Sequence, residues 1–164
     1  MSFQERGSRH YYPNRRVSLI FDCLDQNLSI TEIDERLNRC PKTPLERGKE
    51  SVENVKTIIS RFSFIESIRE TKPNSEEDTI EKRDLVVYLS GEENVGFVGV
   101  QVKSSLRNVL NFYKKINKDD SSEVQKKLIK NKLIVLNGQL PDSRIETNFL
   151  KQLSDINDFH LNKS

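Results

Sequence analysis

The segment DLVVYLSGEENVGFVGVQVK, residues 84–103, decides the fold of this chain. Its first part, DLVVYL, is rich in β-branched and aromatic residues, and its last part, VGFVGVQVK, is apolar at odd and even positions alike. Five residues, 90–94, separate the two parts and predict the turn of a β-hairpin. Because the second strand is apolar on both faces, it is predicted to be a central strand covered on each side.

Downstream of Ser104, the apolar spacing changes from the period of a strand to that of a helix. A lysine-rich helix is predicted over 121–131, then a short buried strand, KLIVLNG at 132–138, and a final helix after Pro141. The inner faces predicted for the first and last of these helices are Leu106, Val109, Leu110, Tyr113 and Ile116, and Ile145, Phe149, Leu150, Leu153 and Ile156.

Upstream, CPKTPLERGKE at 40–50 is the clearest boundary in the chain. Thr43 is predicted to be an N-cap, with Pro44 at the first helical position and Glu46 closing a capping box. FSFIESIRE at 62–70 then predicts a strand. From Thr43 onward, the predicted order is helix, strand, strand, strand, helix, helix, strand, helix. The stripe predicted to be buried in the first helix is Val52, Val55, Ile58, Ile59 and Phe62.

Residues 1–42 are predicted to form an arm and a helical hairpin, separate from an α/β domain at 43–164. Ser29 and Glu32 have the spacing of a capping box and start the second helix of the hairpin. The helices are candidates for contact with DNA, with a protein partner or with a second copy. The arm interleaves arginines with tyrosines, a mixture that can pair with phosphates and stack on bases, or can be a solvated terminus. These residues are Arg6, Arg9, Tyr11, Tyr12, Arg15 and Arg16, and the first helix has the stripe Val17, Ile20, Phe21 and Leu24.

Composition narrows the class of protein. The length of 164 residues suits one domain with a modest appendage, and the mean hydropathy is −0.68. The net charge of +2 does not by itself identify a nucleic-acid binder. No run approaches the roughly 20 apolar residues of a membrane span, and the start MSFQERGSRH lacks the apolar core of a signal peptide. A cytoplasmic protein without a membrane partner is therefore expected.

The distribution of cysteine and histidine points away from sulfur and imidazole metal sites. Cys23 and Cys40 are not at CxxC spacing, and His10 and His160 lie near opposite ends of the chain. Any metal would therefore need oxygen ligands.

The end of the second hairpin strand holds the candidate site. Side chains in a strand repeat every two residues, so Gln101 and Lys103 are expected on one side of the sheet, where the adjacent strand can bring Asp84 beside them. Asp84, the amide oxygen of Gln101 and the carbonyl of Val102 could hold Mg²⁺ or Mn²⁺. Lys103 would orient or deprotonate a water molecule for attack on a phosphodiester.

These residues resemble the PD-(D/E)XK nuclease superfamily, whose fold is restriction-endonuclease-like. In that group, an Asp opens the second strand and the third ends in Glu-x-Lys or Gln-x-Lys, positions held here by Asp84, Gln101 and Lys103. TnsA-like transposition nucleases, which also use Gln-x-Lys, and Holliday-junction-resolvase-like members look closest. The resemblance implies an αβββαβ core over 43 to about 157, with a mixed sheet flanked by helices, and metal-dependent hydrolysis of DNA. It also implies a glutamate from the first helix, with Glu50 preferred to Glu53.

The sequence departs from this family at two positions. Arg83 replaces a proline that carries no chemistry. Gln101 in place of Glu removes one negative charge, which weakens the binding of a divalent ion. Two alternatives therefore stay open: a catalytically silent member that binds nucleic acid or a partner in a mobile-element or repair complex, and a small α/β interaction module.

Several other patterns have structural explanations. Gly96 and Gly99 do not form a phosphate-binding loop and are predicted to allow close packing or a bulge. Ser104 and Ser105 are predicted to be helix caps. The lysines of KKLIKNK, 126–132, suit either a solvated helix face or phosphate contacts.

Overall fold

The computed structural model describes residues 20, 23–39, 43–79, 81–118 and 120–162. The predicted arginine and tyrosine arm, residues 6–16, lies outside the described residues, as does most of the first predicted helix. The chain divides between Arg47 and Gly48 into two compact units, which are described separately.

The first unit contains helix α1, Ile30–Arg39. Its start confirms the predicted capping box, because the Glu32 amide donates to Ser29 Oγ at 3.2 Å and the Ser29 amide donates to Glu32 Oε2 at 2.9 Å. Cys23 is buried with a free thiol, and Cys40 lies outside the described residues.

The order of elements predicted from Thr43 onward is confirmed, with one short helix added between the first two strands. Thr43 caps the first of these helices, since its Oγ1 accepts from the Glu46 amide at 3.2 Å. The elements are α2 (Pro44–Ile59), β1 (Ile65–Glu70), α3 (Glu76–Thr79), β2 (Leu85–Leu89), β3 (Phe97–Lys103), α4 (Leu106–Ile116), α5 (Ser121–Lys130), β4 (Leu133–Asn137) and α6 (Asp142–Leu161).

The four strands form one mixed, open sheet in the order β1-β2-β3-β4. The pairs β1–β2 and β2–β3 are antiparallel, and β3–β4 is parallel. The predicted hairpin and the central position of β3 are therefore confirmed, and the fold is α/β. In the register of the sheet, Leu85 pairs with Val100 and Gln101 pairs with Val135.

Among the described residues, no helix has the length and apolar content needed to cross a membrane.

Each face of the sheet has its own apolar core. Helices α2 and α6 cover one face, where the larger core includes Val98, Val100 and Val102 of β3. Helices α4 and α5 cover the other face above Leu133 and Val135 of β4. Since side chains alternate along a strand, Gln101 and Lys103 face α4 and α5.

The predicted inner faces of two helices are partly wrong. In α4, Leu106 and Leu110 are 66% and 48% exposed, whereas Phe112, which was not assigned to the core, is 5% exposed. In α6, Leu150 is 42% exposed. Both helices carry more apolar residues than one face can bury, so their neighbours in the fold decide which of these residues are covered.

Candidate functional site

Asp84 lies immediately before β2, against the backbone of β3. Its amide donates to the carbonyl of Val100 at 2.9 Å, and its Oδ2 accepts from the amide of Val102 at 2.7 Å. These two bonds attach Asp84 to the residues of β3 on either side of Gln101, and the second holds the carboxylate beside the strand. The hairpin thus brings Asp84 next to the Gln-x-Lys segment, at the end where β2 and β3 stop pairing.

The surroundings of the Asp84 carboxyl disfavour its ionised form. Burial raises its pKa above 3.8, and the carboxylate of Asp78 adds to that increase. The hydrogen bond from Val102 and the charge of Lys103 act in the opposite direction. The net shift is upward, so the negative charge at this position lacks full compensation from the protein and favours a nearby cation.

Lys103 ends β3, and its ammonium lies over an aromatic ring. Its Nζ is 5.0 Å from the centroid of Phe112, which belongs to α4. Burial lowers the pKa of Lys103 below 10.5; Asp84 opposes this effect, and repulsion from Lys115 and Lys82 adds to it. An ammonium in this environment gives up its proton more readily than a surface lysine does.

Gln101 is a polar residue in the middle of an apolar sheet. It is 8% exposed, and its side chain makes no hydrogen bond to any residue in the described ranges. No enclosed side-chain nitrogen or oxygen in the described part of the chain lacks a partner, so the amide group of Gln101 reaches solvent. Its oxygen is therefore available to water or to a ligand.

Glu50 lies near the same end of β3 but on the side of the sheet covered by α2. Its Oε2 accepts from Gln139 Nε2 at 3.3 Å, and Gln139 follows β4. The neighbouring Gly138 donates its amide to the carbonyl of Lys103 at 2.9 Å. Glu50 is not among the charges that shift the pKa of Asp84. The structure therefore joins Asp84, Gln101 and Lys103 more closely than it joins Glu50 to them.

Glu53, the other helix glutamate considered, pairs with Lys56 at 3.4 Å. Lys56 also contacts Glu70 of β1 at 3.1 Å. The Glu53 carboxylate is therefore paired at the β1 edge of the sheet, away from β3.

Sequence reasoning missed three charged residues near Asp84 and Lys103. Asp78 lies in the polar connection before β2, and its Oδ2 accepts from the amide of Asn74 at 2.9 Å. Lys82 and Lys115 belong to the connection and to α4. All three are in polar stretches, where no periodic pattern distinguishes a residue near a site from a solvated one.

The donors present fit a hard cation held mainly by water and a few protein oxygens. Asp84 Oδ1 accepts no hydrogen bond from the described residues, and the Gln101 amide oxygen is similarly available. No group of three acidic, histidine or cysteine side chains is found in the described part of the chain. Mg²⁺ suits such a site because it retains several waters and needs only one or two carboxylates.

Comparison with known proteins does not extend this picture. No protein family model, curated protein or solved structure matches the chain. Support for a function therefore comes from the residues and their geometry.

Proposed function

We propose that the α/β unit is a metal-dependent endonuclease of the restriction-endonuclease-like fold that hydrolyses DNA phosphodiester bonds. One observation carries the proposal: a half-buried carboxylate, an amide without a hydrogen bond among the described residues and a half-buried ammonium with a lowered pKa lie at one end of β3. Partial burial is costly for both charged groups, and a structural core does not need it.

The topology supports the same proposal. A helix precedes three antiparallel strands, helices follow, and the last strand pairs in parallel with β3. This order supports the αβββαβ arrangement that the resemblance implies, with one short helix added before β2 and two helices between β3 and β4. Asp84 immediately precedes β2, and the Gln-x-Lys pair ends the adjacent strand β3.

The chemistry assigns a role to each residue. Asp84 and Gln101, with the carbonyl of Val102, would hold Mg²⁺ or Mn²⁺, which supplies the positive charge that stabilises a phosphodiester under attack. Lys103 orients the attacking water, and burial, which lowers the pKa of this lysine, favours the neutral amine that can accept the proton of that water. Phe112 holds the Lys103 ammonium in place through its ring.

The surrounding charges favour a polyanionic substrate. Lys82 and Lys115 are close enough to Lys103 to lower its pKa by repulsion. A phosphate backbone entering this region would relieve that repulsion. Attraction of this kind depends on salt, because it releases counterions.

A cleavage assay tests the proposal. Plasmid, single-stranded and branched DNA are incubated with Mg²⁺, Mn²⁺ or EDTA, using the wild type and the variants Asp84→Ala and Lys103→Ala. Each variant should lose about 10²- to 10⁴-fold in rate while keeping its circular dichroism spectrum. Lys126→Ala is the matched control, because Lys126 pairs with Glu123 at 3.1 Å on the exposed side of α5. Cleavage by the wild type in EDTA would contradict the proposal, and so would cleavage by both variants at the wild-type rate.

The composition of the donor set favours one alternative, a silent member of the same fold that binds nucleic acid. Gln101 replaces a charged metal ligand, and the described residues contain no cluster of three acidic side chains. Such a protein would bind DNA in a salt-sensitive manner, equally with and without metal, and would cleave none of the substrates.

A further inference from the structure

A second feature on the α4 and α5 side of the sheet is a cationic cavity of about 590 Å³. Small-molecule sites commonly span about 300–1,000 Å³, so a nucleotide fits this volume. Its floor includes Phe97 of β3 and Leu133 of β4. Its charged lining residues are Lys82, Arg83, Lys127, Lys130, Lys132 and Glu81.

Two cations of the cavity are arranged around one aromatic ring. Lys132 Nζ is 4.9 Å from the centroid of Phe97, and the Arg83 guanidinium carbon is 5.5 Å from it. Arg83 reaches this position by crossing Gly99, where an added Cβ would lie 2.6 Å from Arg83 Cγ. Because Gly99 has no side chain, the Arg83 guanidinium can lie along the sheet beside the ring of Phe97.

Most of the positive charge in the cavity has no internal counterion. The carboxylate of Glu81 pairs with Arg83 at 2.8 Å, and Lys127 donates to the carbonyl of Ile116 at 3.3 Å. Lys130 and Lys132 have no ion pair within the described ranges. The cavity is therefore suited to an anion that also presents an apolar or aromatic surface.

The backbone at the cavity is strained in two places. Lys82 has φ 56° and Lys132 has φ 52°, in the left-handed region that lysine rarely adopts. Both residues line the cavity. Strained residues of this kind cluster at ligand-binding positions, where the surrounding structure holds them in place.

We propose that this cavity binds one unpaired nucleotide of single-stranded DNA, whose base stacks on Phe97 beside Arg83 in place of the Lys132 ammonium. Lys132 then binds the phosphate together with Lys130. An unpaired base presents an aromatic face that enters such a recess, whereas a base within a duplex exposes only its edge. The ring therefore favours a single strand over a duplex, and the ammonium groups supply the phosphate contacts.

The cavity adjoins the candidate catalytic site. Phe112 lines the cavity and also lies under the ammonium of Lys103 at 5.0 Å. Lys82 and Arg83, which line the cavity, directly precede Asp84. The inference rests on the proposed function, because that function makes DNA the substrate. It specifies this substrate as DNA with an unpaired segment beside the cleaved bond.

The test measures binding in EDTA, so that its result does not depend on cleavage. Fluorescence anisotropy follows a labelled oligo(dT) of ~12 nucleotides, a length typical of single-strand sites. Phe97→Leu keeps an apolar side chain but removes the stacking ring and should weaken binding about 5- to 100-fold, the effect of one lost stacked base. A duplex of the same length should compete at least tenfold less well.

A second variant separates charge from folding. Lys132→Asn removes the ammonium, and asparagine tolerates the left-handed backbone there, so the thermal midpoint should not fall. Its binding should weaken, and the slope of log affinity against log salt should shrink by about 0.7 for one lost phosphate contact. Lys126→Asn makes the same charge change on α5 at a residue that does not line the cavity, and it should bind as the wild type does.

Three results would overturn the inference. The first is equal loss of affinity in Lys132→Asn and Lys126→Asn, and the second is wild-type affinity in Phe97→Leu. The third is competition by dTMP as effective as that by the oligonucleotide, since it would identify a free nucleotide as the ligand. If the strand binds as described and no DNA is cleaved with metal, the cavity assignment holds and the endonuclease proposal fails.

Discussion

At the scale of single residues, Asp84 and Lys103 have pKa shifts in opposite directions with the same first cause, which is burial. Burial therefore disfavours the ionised form of each group. Their mutual attraction offsets part of this cost but leaves both shifts in place. Such a pair is better explained by chemistry on a bound ligand than by stability.

The first prediction is that Asp84→Asn stabilises the protein at pH 7. The folded-state pKa of Asp84 is raised above 3.8, so the native state loses stability as the pH rises from that value through the folded pKa. Asparagine carries no charge, and its oxygen can still accept from the Val102 amide. Thermal unfolding should show a higher midpoint for the variant at pH 7 and a difference that shrinks toward pH 4. A lower midpoint at pH 7 would mean that the carboxylate stabilises the fold.

The second prediction concerns the charge missing from the candidate metal site. Gln101→Glu adds a carboxylate beside Asp84 and should bind Mg²⁺ about tenfold or more tightly, because affinity for hard cations rises with ligand charge. Isothermal titration with Mg²⁺ measures this change, and Gln139→Glu, near Glu50, is the control with the same chemistry. Without metal, the variant should be less stable than the wild type, because the added carboxylate and that of Asp84 repel each other.

At the scale of elements, the approach of α2 to the end of β4 depends on a glycine. A Cβ at Gly138 would lie 2.6 Å from Ser51 Cα, and the Gly138 carbonyl accepts from Asn54 Nδ2 at 3.0 Å. The obstacle is backbone, which cannot move as a long side chain can. This contact brings α2, with Glu50, to the carboxyl end of β3.

The third prediction follows from that contact. Gly138→Ala should lower the free energy of unfolding by about 1–3 kcal/mol, the usual cost of overpacking. Gly48→Ala, in α2 with nothing within 4 Å of an added Cβ, should instead raise it by about 0.5–1 kcal/mol. Urea denaturation of the two variants measures both values. Equal effects would show that helix propensity, rather than the α2–β4 contact, controls the result.

At the scale of the whole molecule, the sheet of the α/β unit is stabilised by apolar layers on both faces. Phe149 of α6 is fully buried in the larger layer, and its ring stacks on that of Phe62 with centroids 5.8 Å apart. Its neighbour Leu150 is 42% exposed. Truncating the side chains of these two adjacent residues should therefore lower the free energy of unfolding by very different amounts.

The fourth prediction compares these neighbours. Phe149→Ala should destabilise the protein by about 3–5 kcal/mol, through lost burial and the cavity that remains. Leu150→Ala should change stability by about 0.5 kcal/mol or less, as expected for an exposed position. Chemical denaturation measures both. Comparable losses would mean that α6 packs with a different face toward the sheet.

Local patterns in the sequence determined the order of elements, the hairpin and the helix starts. The Ser29 and Thr43 caps are bonds between residues three apart, and the β-branched runs of β2 and β3 act over a few residues. The sequence therefore predicts them without knowledge of the fold. It also predicts that Gln101 and Lys103 share one side of the sheet, because side chains alternate along a strand.

Only the tertiary structure decided which residues of α4 and α6 are buried, where the helix glutamates lie and which charges surround Asp84. Phe112 is covered instead of Leu110, and Asp78 instead of Glu50 acts on the Asp84 carboxyl. The cavity around Phe97 likewise joins residues from β3, β4, α4 and α5. These features depend on contacts between segments far apart in the chain, whose geometry is set by packing and not by any local period.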